Sequence, residues 1–322
     1  MKVLVTGGAG YIGSHTAKLL ASEGLEPVVL DDLRSGHRWA VQWGTFVEGN
    51  LADADLLKQI FGDGDIKAVI HFAGEIQVGE SVKDPRKYFW ANAVNSLKLL
   101  DAMREGRANC IVFSSSAGVY GDPEFVPIPE EHRTRPVSPY GESKLFVEQA
   151  LRAYGLAYGL RWMALRYFNA CGASENLGEE HHPETHLLPL AMRAALGQQP
   201  HLEVYGTDYP TPDGTALRDY IHVLDLATAH LAALRHLLDG GESCALNLGT
   251  GQGHTVREII AAVDQYAKPR RVPFRDVARR PGDPTSLIAD PSSARRVLGW
   301  EPRHSSLEEI VRTAWEWHSA RA

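Results

Sequence analysis

Near the N-terminus, a short run of β-branched and apolar residues is followed at once by closely spaced glycines and then by a helical pattern. The run KVLVT covers residues 2–6, and the apolar residues of HTAKLLASEG recur at helical spacing. Between them, Gly7, Gly10 and Gly13 give the spacing G-x-x-G-x-x-G, in which glycine permits a tight turn and a close approach of the backbone to a phosphate. The start of the helix offers free N–H groups to the same anion. We therefore predict a strand, a dinucleotide-binding turn and a helix as the first unit of the fold.

Strand and helix patterns go on alternating over the next hundred residues. Asp53 is placed to cap a second helix, and residues 84–104 are typical of a third, long helix with Pro85 in its first turn. Further strand-like runs lie at residues 26–32, 45–49, 67–74 and 109–116. This alternation predicts an α/β fold built on a Rossmann-type doubly wound parallel sheet with helices on both faces.

After Ser116 the pattern changes. Five prolines lie between Asp122 and Pro139, so this stretch is predicted to be a long loop. A helix over residues 140–158 and a strand over residues 161–169 should follow. Long loops inside compact domains often carry function, and this loop leads directly into the predicted helix.

The length of 322 residues is enough for about two domains. We predict a nucleotide-binding domain over residues 1–169, to which the chain returns near 214–250, and a smaller, irregular α/β substrate domain over residues 170–322. Loop signals dominate residues 170–220. Amphipathic helices are predicted over residues 225–238 and 255–267, and the tail SLEEIVRTAWEWH closes the chain.

Charge and cysteine content exclude several classes of protein. The chain has 33 Lys and Arg against 40 Asp and Glu, a net charge of −7 at pH 7, which offers no electrostatic attraction for nucleic acid or an anionic membrane. No apolar run approaches the roughly 18 residues that would span a bilayer, so no membrane segment is predicted. The three cysteines show no CxxC spacing, and we expect a soluble protein of the reducing cytoplasm.

An acidic residue at the end of the second strand bears on the choice of dinucleotide. Asp31 lies eighteen residues after Gly13, where a carboxylate can accept hydrogen bonds from an adenosine ribose and would repel a 2′-phosphate. The sequence therefore favours NAD over NADP. Arg34 is an opposing signal, because arginine can bind that phosphate, but a solvated loop charge is the simpler interpretation.

A tyrosine and a lysine at the start of the fourth predicted helix form a candidate proton-transfer pair. Tyr140 and Lys144 are four residues apart and so share one helix face. A phenol with a pKa of about 10 is a poor base at neutral pH, but a neighbouring cation stabilises its phenolate. The serine cluster SSSAGVY, which includes Ser116, lies at the carboxyl end of the fifth strand, where ligands of open α/β sheets collect.

Together these motifs resemble the extended short-chain dehydrogenase/reductase family. Further segments in the same order narrow the resemblance to the UDP-glucose 4-epimerase family and cover nearly the whole chain: VLVTGGAGYIGSHT, FVEGN, VIHFAG, VGESV, FSSSAGVYGD, SPYGESK, LRYFNACGA, DYPTPDGT, RDYIHVLDLA, NLGTG and RRPGD. The resemblance implies an isomerase that interconverts UDP-galactose and UDP-glucose by transient oxidation at the sugar C4, with tightly bound NAD as cofactor. It also implies a homodimer, in which the long helix after Asp84 and the Tyr140 helix pack against their copies.

The resemblance assigns roles to individual residues. The catalytic residues it implies are Ser116, Tyr140 and Lys144. The cofactor-binding residues are Gly7, Gly10, Tyr11, Ile12, Gly13, Asp31, Asp32, Asn50, Leu51, Phe72, Ala73, Gly74, Asn92, Ser114, Tyr140, Lys144 and Phe168. The substrate-binding residues are Ser116, Tyr140, Asn169, His186, Leu187, Arg218, Arg280 and Asp283, among which the two arginines would grip the UDP phosphates.

Some positions depart from the family pattern. Asn50 stands where the family usually has an acid near adenine, Ile76 where many members have lysine, and Gly118 where threonine is usual. In the family, one residue of the pocket wall decides whether an N-acetyl group fits. At that position this chain has Leu287, which is neither the large tyrosine nor a small residue. A 4-epimerase for UDP-N-acetylglucosamine or for a UDP-pentose therefore stays open as an alternative.

Two more distant alternatives are weaker. A nucleotide-sugar 4,6-dehydratase needs an acidic pair after the serine cluster, where this chain has Ala117 and Gly118. A non-catalytic NAD-binding sensor on the same fold would typically lack the tyrosine or the lysine, and both are present.

A group of histidines raises the question of a metal. His181, His182 and His186 lie close together in sequence, but Pro183 interrupts the helical spacing and no carboxylate pattern accompanies them. We predict histidines with structural or substrate-contact roles, and no metal site.

Overall fold

Alternating strands and helices in the N-terminal part build a twisted parallel sheet, and shorter elements follow it. The computed structural model describes residues 1–280 and 283–322. The strands are β1 (Lys2–Thr6), β2 (Glu26–Asp31), β3 (Thr45–Glu48), β4 (Ile66–His71), β5 (Cys110–Ser114), β6 (Arg161–Tyr167), β7 (Asn169–Cys171), β8 (Leu202–Tyr205), β9 (Leu217–Arg218), β10 (Tyr220–His222), β11 (Cys244–Leu248), β12 (His254–Thr255), β13 (Phe274–Val277) and β14 (Ser286–Leu287). The helices are α1 (Tyr11–Ser22), α2 (Ala54–Gly62), α3 (Val78–Lys83), α4 (Pro85–Tyr88), α5 (Asn95–Glu105), α6 (Pro139–Tyr158), α7 (Leu187–Leu196), α8 (Val223–Leu238), α9 (Val256–Ala267), α10 (Ser292–Leu298) and α11 (Leu307–Ser319).

Seven strands form the central sheet in the order β11-β6-β5-β4-β1-β2-β3, and every pairing in it is parallel. Side chains of β1 alternate between its two faces. Val3 and Val5 belong to the core that includes residues of α1 and α8, whereas Leu4 belongs to the core that includes residues of α2, α5 and α6. Burial of both faces explains why the strands read as nearly continuous apolar runs. The predicted fold class is confirmed.

The strand order reverses direction at β1, because β2 lies on one side of it and β4 on the other. In such sheets, the connections after the two central strands leave in opposite directions and open a crevice at their carboxyl ends. The register pairs Thr6, the last residue of β1, with Leu30 of β2 and with His71 of β4. The crevice is therefore bounded by the glycine turn and by the residues that follow β2 and β4.

The C-terminal part contains short sheets and a second core. β8 pairs with β13, and β9 pairs with both β12 and β14. Helices α7, α9 and α11 supply most of the apolar side chains of this core, including Met192, Ile259 and Ile310. β11 pairs with β6 in the central sheet, and α8 packs on α1. Among the described residues, no helix is long and apolar enough to cross a membrane.

The structure corrects three sequence-based expectations. The helix predicted over residues 84–104 is divided into α4, a π-helical segment at Phe89–Val94 and α5. Residues 170–220, expected to be mainly loop, contain α7; its Pro189 lies in the first helical turn, where a missing N–H costs nothing. The predicted strand 161–169 ends at Tyr167, and a separate strand, β7, begins at Asn169.

A buried ion pair connects α6 to the central sheet. Arg166 of β6 donates from Nε to Glu148 Oε1 at 2.9 Å and from Nη2 to Oε2 at 2.5 Å, and both side chains are less than a tenth exposed. The Ser115 hydroxyl donates to the same carboxylate, and Arg166 also donates to the Tyr120 hydroxyl at 2.9 Å. The pair thus holds the helix, the end of β5 and the start of the proline-rich loop together.

Removing one partner of this pair should destabilise the fold strongly. We expect Glu148→Gln to lower the free energy of unfolding by about 3–5 kcal/mol, because it leaves the Arg166 guanidinium buried without a counter-charge. The matched control is Glu316→Gln, which breaks the exposed Arg312–Glu316 pair at 3.0 Å and should cost at most about 1 kcal/mol. Urea unfolding of both variants measures the difference, and equally small losses would contradict the assignment.

Candidate active site

The three glycines of the first turn differ in what a side chain at each position would contact. Gly7 has φ +71°, and a Cβ there would lie 2.6 Å from the backbone nitrogen of Ala73. A Cβ on Gly13 would lie 2.3 Å from the Gly7 carbonyl oxygen. A Cβ on Gly10, by contrast, would lie 3.2 Å from that same oxygen. No other atom of the described chain that is not in a neighbouring residue or the helix itself would lie within 4 Å of it. Packing therefore requires the first and third glycines, while the space beside Gly10 is left for a ligand.

The N-terminus of α1 adjoins this space and has no side-chain cap. Gly10 is the N-cap residue, no acid lies in the first turn, and Tyr11 and Ile12 are the first two helical residues. Their N–H groups have no intrahelical acceptor, so with the helix dipole they suit an anion such as a pyrophosphate. The Tyr11 hydroxyl donates to the Gly172 carbonyl at 2.6 Å, which ties the turn to the segment after β7.

Acidic groups follow β2, as predicted. Asp31 accepts from the N–H groups of Ala9 at 3.0 Å and of Leu33 at 2.9 Å, and burial raises the pKa of its carboxyl. Asp32 accepts from the Asn50 amide at 2.5 Å. Leu51 is buried behind Asn50. Oxygen-rich surroundings of this kind suit a ribose diol and repel a phosphate.

The guanidinium of Arg34, the opposing signal in the sequence, is bound by two acids. Its Nε lies 2.7 Å from Asp32 Oδ2, and its Nη1 lies 3.3 Å from Glu75 Oε1. These carboxylates compete with any phosphate for the guanidinium, so the arginine does not argue for NADP.

The segment after β4 forms the opposite wall. The N–H groups of Phe72 and Ala73 donate to the Thr6 carbonyl at 2.9 and 3.1 Å. A Cβ on Gly74 would lie 2.8 Å from Asn92 Oδ1 and 3.8 Å from Lys144 Nζ. Gly74 therefore brings the cofactor wall against the predicted catalytic lysine.

Asn92, in the π-helical segment, holds this wall in place with its side-chain amide. Its Oδ1 accepts from the Glu75 N–H at 2.7 Å, and its Nδ2 donates to the Glu75 carbonyl and to the Ser143 hydroxyl, both at 3.0 Å. The amide thus bridges the loop after β4 to α6, and its polar atoms are used within the protein.

Lys144 and Tyr140 lie at the start of α6, against the end of β5. Lys144 is 3% exposed, and its Nζ donates to the Ser114 carbonyl at 2.9 Å. The same Nζ lies 5.9 Å from the centre of the Tyr140 ring. Ser116 caps a short 3₁₀ turn by accepting from the Gly118 N–H at 3.0 Å. The Ser114 hydroxyl is paired with the Tyr167 hydroxyl.

Burial sets the proton affinities of the pair. Desolvation raises the pKa of the Tyr140 phenol, and the neighbouring Ser116 hydroxyl acts in the opposite direction. Desolvation lowers the pKa of Lys144 to about 8, so at pH 7 this group still carries its proton. The positive charge beside Tyr140 favours its phenolate by Coulomb attraction in a site with little water.

Apart from Ser116 and Tyr140, the predicted substrate residues lie after β6, on β7 and in the C-terminal part. Asn169 begins β7, and Phe168, just before it, packs with Leu287 against the cluster that contains Ala117 and Tyr120. Leu287 therefore lies next to the segment that carries Ser116. His186 is the N-cap of α7 and Leu187 its first residue.

The charged residues expected at the UDP end are partly paired with one another. Arg218 donates to Asp283 Oδ1 at 2.5 Å and to the Pro284 carbonyl at 2.8 Å. The Arg280 guanidinium lies over the Tyr205 ring, 3.8 Å from its centre. Pro281 and Gly282 of the RRPGD motif lie outside the described residues.

Several buried charged residues near the site were missed by sequence reasoning. The sequence predicts a helix that contains Glu148 and a strand that contains Arg166, but not that the two side chains pair. An acid and a base within apolar stretches were the signal for such a buried pair. Glu179 and Glu184 were also missed: the structure places both against His181 and His186, so the histidines do have carboxylate partners. Burial disfavours the charged imidazole, but the two carboxylates outweigh it and raise the pKa of His181 to about 9.

A glycine turn at the switch point of a parallel sheet, with a buried lysine and a half-buried tyrosine beside it, defines a nucleotide-dependent enzyme of the short-chain dehydrogenase/reductase class. Comparison with protein families narrows this class. Residues 3–249 match the model of the NAD dependent epimerase/dehydratase family, and the chain belongs to that family.

Similar proteins cover the chain from end to end. A UDP-glucose 4-epimerase of Rhizobium meliloti (strain 1021) is 50% identical in an alignment 322 positions long, which covers 99% of this chain and 97% of the relative. Among solved structures, UDP-glucose 4-epimerase from Brucella ovis in complex with NAD is 52% identical, with a TM-score of 0.95 over 98% of this chain and 97% of the other. The enzyme from Stenotrophomonas maltophila with bound NAD and formylated UDP-arabinopyranose is 43% identical, with a TM-score of 0.95 over 100% and 98%. The family resemblance predicted from the sequence is confirmed.

The lowered pKa of Lys144 predicts how stability depends on pH. The pKa of Lys144 in the folded protein, about 8, is below its ordinary value of 10.5, so the unfolded chain binds more protons between these pH values and stability rises with pH there. In nucleotide-free protein, we expect the free energy of unfolding of the wild type to rise relative to Lys144→Met by roughly 2–3 kcal/mol from pH 8 to pH 10.5. Urea unfolding at several pH values measures this. Lys58→Met, at an exposed position of α2, should keep the wild-type slope, and a constant offset for Lys144→Met would refute the assignment.

Proposed function

We propose that this chain is an NAD-dependent UDP-glucose 4-epimerase, an isomerase of nucleotide-sugar and galactose metabolism that interconverts UDP-galactose and UDP-glucose. The observation that carries the proposal is the buried Lys144 ammonium, bound to the Ser114 carbonyl and adjacent to both Tyr140 and Gly74. This places a proton-transfer pair directly against the wall of a dinucleotide crevice. Full-length relatives at about half identity support the same activity.

The residues around the crevice fit NAD. The uncapped N-terminus of α1 and the open space at Gly10 would hold the pyrophosphate, and Asp31 and Asp32 would accept from the adenosine ribose. Phe72, Ala73 and Gly74 would lie along the nicotinamide half, with Asn92 fixing that wall. When bound, NAD supplies the acceptor for the hydride from the sugar C4 and later its donor.

Tyr140 is the general base and then the general acid of the reaction. Its phenolate removes the proton of the sugar 4-hydroxyl, and its phenol returns a proton after the 4-keto sugar has presented its other face. Lys144 keeps a positive charge beside the ring, which offsets the rise in pKa that burial imposes on Tyr140. Ser116 donates a hydrogen bond to the reacting oxygen and orients it toward Tyr140.

Elements beyond β6 hold the UDP-sugar. Arg218 and Arg280 contribute the positive charge for the diphosphate, and Asp283 orients Arg218 and accepts from the uridine ribose. Asn169, His186 and Leu187 line the path between the diphosphate and the sugar, and Phe168 lies at the junction of the two ligands. A local basic site of this kind is compatible with a chain whose net charge is −7.

Replacing Tyr140 by phenylalanine should abolish turnover without unfolding the protein. We expect kcat for UDP-galactose to fall by roughly 10²–10⁴-fold in Tyr140→Phe, because the only atom lost is the one that exchanges the proton. The assay adds UDP-galactose without external NAD and follows UDP-glucose by chromatography. Tyr158→Phe, at a 57% exposed position on the same helix, is the matched control and should keep wild-type turnover.

The same preparation separates the competing functions. Bound nucleotide, released by denaturation and quantified, should equal the wild-type amount in both variants. Near-normal turnover in folded Tyr140→Phe would overturn the assigned role, and bound NAD with no turnover in the wild type would identify a sensor. Turnover of UDP-galactose, UDP-N-acetylgalactosamine and UDP-arabinose, measured side by side, shows which of these sugars fits beside Leu287.

The active form is a homodimer. Exposed apolar side chains lie on neighbouring elements next to the site: Val82 of α3 is 63% exposed, Trp90 of the π-helical segment 54%, and Phe146 of α6 41%. These elements pack against one another, so the side chains belong to one region of the surface. A group of exposed apolar side chains in one region of the surface is typical of an interface between proteins.

A charge placed in this region should separate the protomers. We expect Trp90→Glu to shift the protein from dimer to monomer in size-exclusion chromatography with light scattering, because it buries a carboxylate in the apolar interface. Phe274→Glu, a change of the same kind at a 43% exposed position of β13, should remain dimeric. A dimeric Trp90→Glu, or a monomeric wild type, contradicts the assignment.

The three cysteines are free thiols, two buried and one partly buried, which suits a reducing compartment. The cytoplasm is therefore the proposed location, and fractionation of the source cells tests it.

A further inference from the structure

Two histidines and two glutamates converge in the segment that precedes α7. Glu179, His181, Glu184 and His186 each offer one ligand atom, and these four atoms lie within 4.8 Å of one another. His186 Nδ1 lies 2.8 Å from an oxygen of each carboxylate. His181 Nδ1 lies 3.2 Å from Glu179 Oε1 and 3.8 Å from Glu184 Oε2.

Two atoms of this cluster are buried and lack a hydrogen bond. The Glu184 side chain is 0% exposed, yet among residues 1–280 and 283–322 its Oε2 has no hydrogen-bond partner, and neither has His181 Nδ1. A buried carboxylate oxygen without a partner costs considerable free energy. The two atoms lie 3.8 Å apart, so one ion bound to both would satisfy them.

We propose that Glu179, His181, Glu184 and His186 bind a divalent metal ion of the zinc type. Imidazole nitrogen and carboxylate oxygen are ligands that Zn²⁺ takes in proteins. Metal–ligand bonds of about 2.0–2.2 Å in a tetrahedron put neighbouring ligand atoms roughly 3.3–3.5 Å apart, which lies within the range of contacts in the cluster. Metal binding displaces the imidazole protons, and the two carboxylates with two neutral imidazoles then carry a charge of −2, which one divalent cation balances.

The position of the cluster gives the ion a structural role. Its residues join the loop after β7 to the first turn of α7, and His181 packs edge-on against the ring of Tyr11 at 6.5 Å between centroids. His181 also lines a small cavity with Gly10 and Tyr11. A bound ion would fix this loop against the glycine turn and orient His186. The inference stands on these contacts and does not depend on the proposed activity.

Isothermal titration of tag-free protein with ZnCl₂, after treatment with EDTA and removal of the chelator, tests the site. We expect one ion per chain for the wild type and an affinity at least about tenfold weaker for His181→Gln. His182→Gln changes the adjacent, 70% exposed histidine, which is outside the cluster, and should titrate as the wild type. If His181→Gln does not fold, a second matched pair replaces it. Glu184→Gln should bind zinc more weakly than the wild type, and its control, Glu180→Gln, should titrate as the wild type.

Thermal melts and Co²⁺ absorption give readouts that are independent of activity. Zinc should raise the melting temperature of the wild type and of His182→Gln but not of His181→Gln. Co²⁺ should show the visible absorption of a tetrahedral site in the wild type. Absence of saturable binding in the wild type would show that the cluster is held by protons alone and overturn the proposal. Equal titration of His181→Gln and His182→Gln would place the ion elsewhere, which also overturns it.

Discussion

The contact between Gly7 and the end of β4 is the constraint on which the architecture of the site depends. A side chain at Gly7 would lie 2.6 Å from the backbone nitrogen of Ala73, so only glycine allows the turn after β1 to approach the neighbouring strand this closely. That approach aligns the N-terminus of α1 with the wall formed by Gly74. Lys144 then reaches the same wall from α6. One backbone contact at the switch point therefore sets both the anion site and the distance to the proton-transfer pair.

Lys144 shows the conflict between stability and chemistry in this site. Burying its ammonium opposes folding, since desolvation lowers its pKa to about 8 and a single carbonyl is its hydrogen-bond acceptor among the described residues. The same burial removes water from between the ammonium and Tyr140, which strengthens their attraction. The apolar core on that face of the sheet opposes this cost, and the Glu148–Arg166 pair fixes the position of α6 one turn beyond Lys144.

A part of the molecule could be predicted from the sequence when the residues that determine it lie close together in the chain. The first six strands of the central sheet, the glycine turn and the Tyr140–Lys144 pair depend on residues within a few positions of each other, and the sequence predicts them. The seventh strand, β11, was not predicted as a strand, because its partner β6 lies about eighty residues earlier in the chain. α7 was missed because Pro189 reads as a helix breaker unless the helix start is known. The partners of His181 were missed because two carboxylates within five residues of it become neighbours only when the loop is folded. The domain boundaries and the roles of the site residues remain predictions.

Two buried aspartates in the RDYIHVLDLA segment explain how the irregular C-terminal part is attached to the regular sheet. Asp219 is 0% exposed and accepts from the N–H groups of Thr250, Gly251 and Ala289. Asp225 is 1% exposed and accepts from two further N–H groups, at residues 303 and 304. Each carboxylate thus satisfies loop N–H groups that have no place in a regular sheet, and burial would penalise either carboxylate if those loops moved away. The loops after β11, after β14 and before α11 are therefore held in place by buried charge and hydrogen bonds rather than by regular pairing of strands.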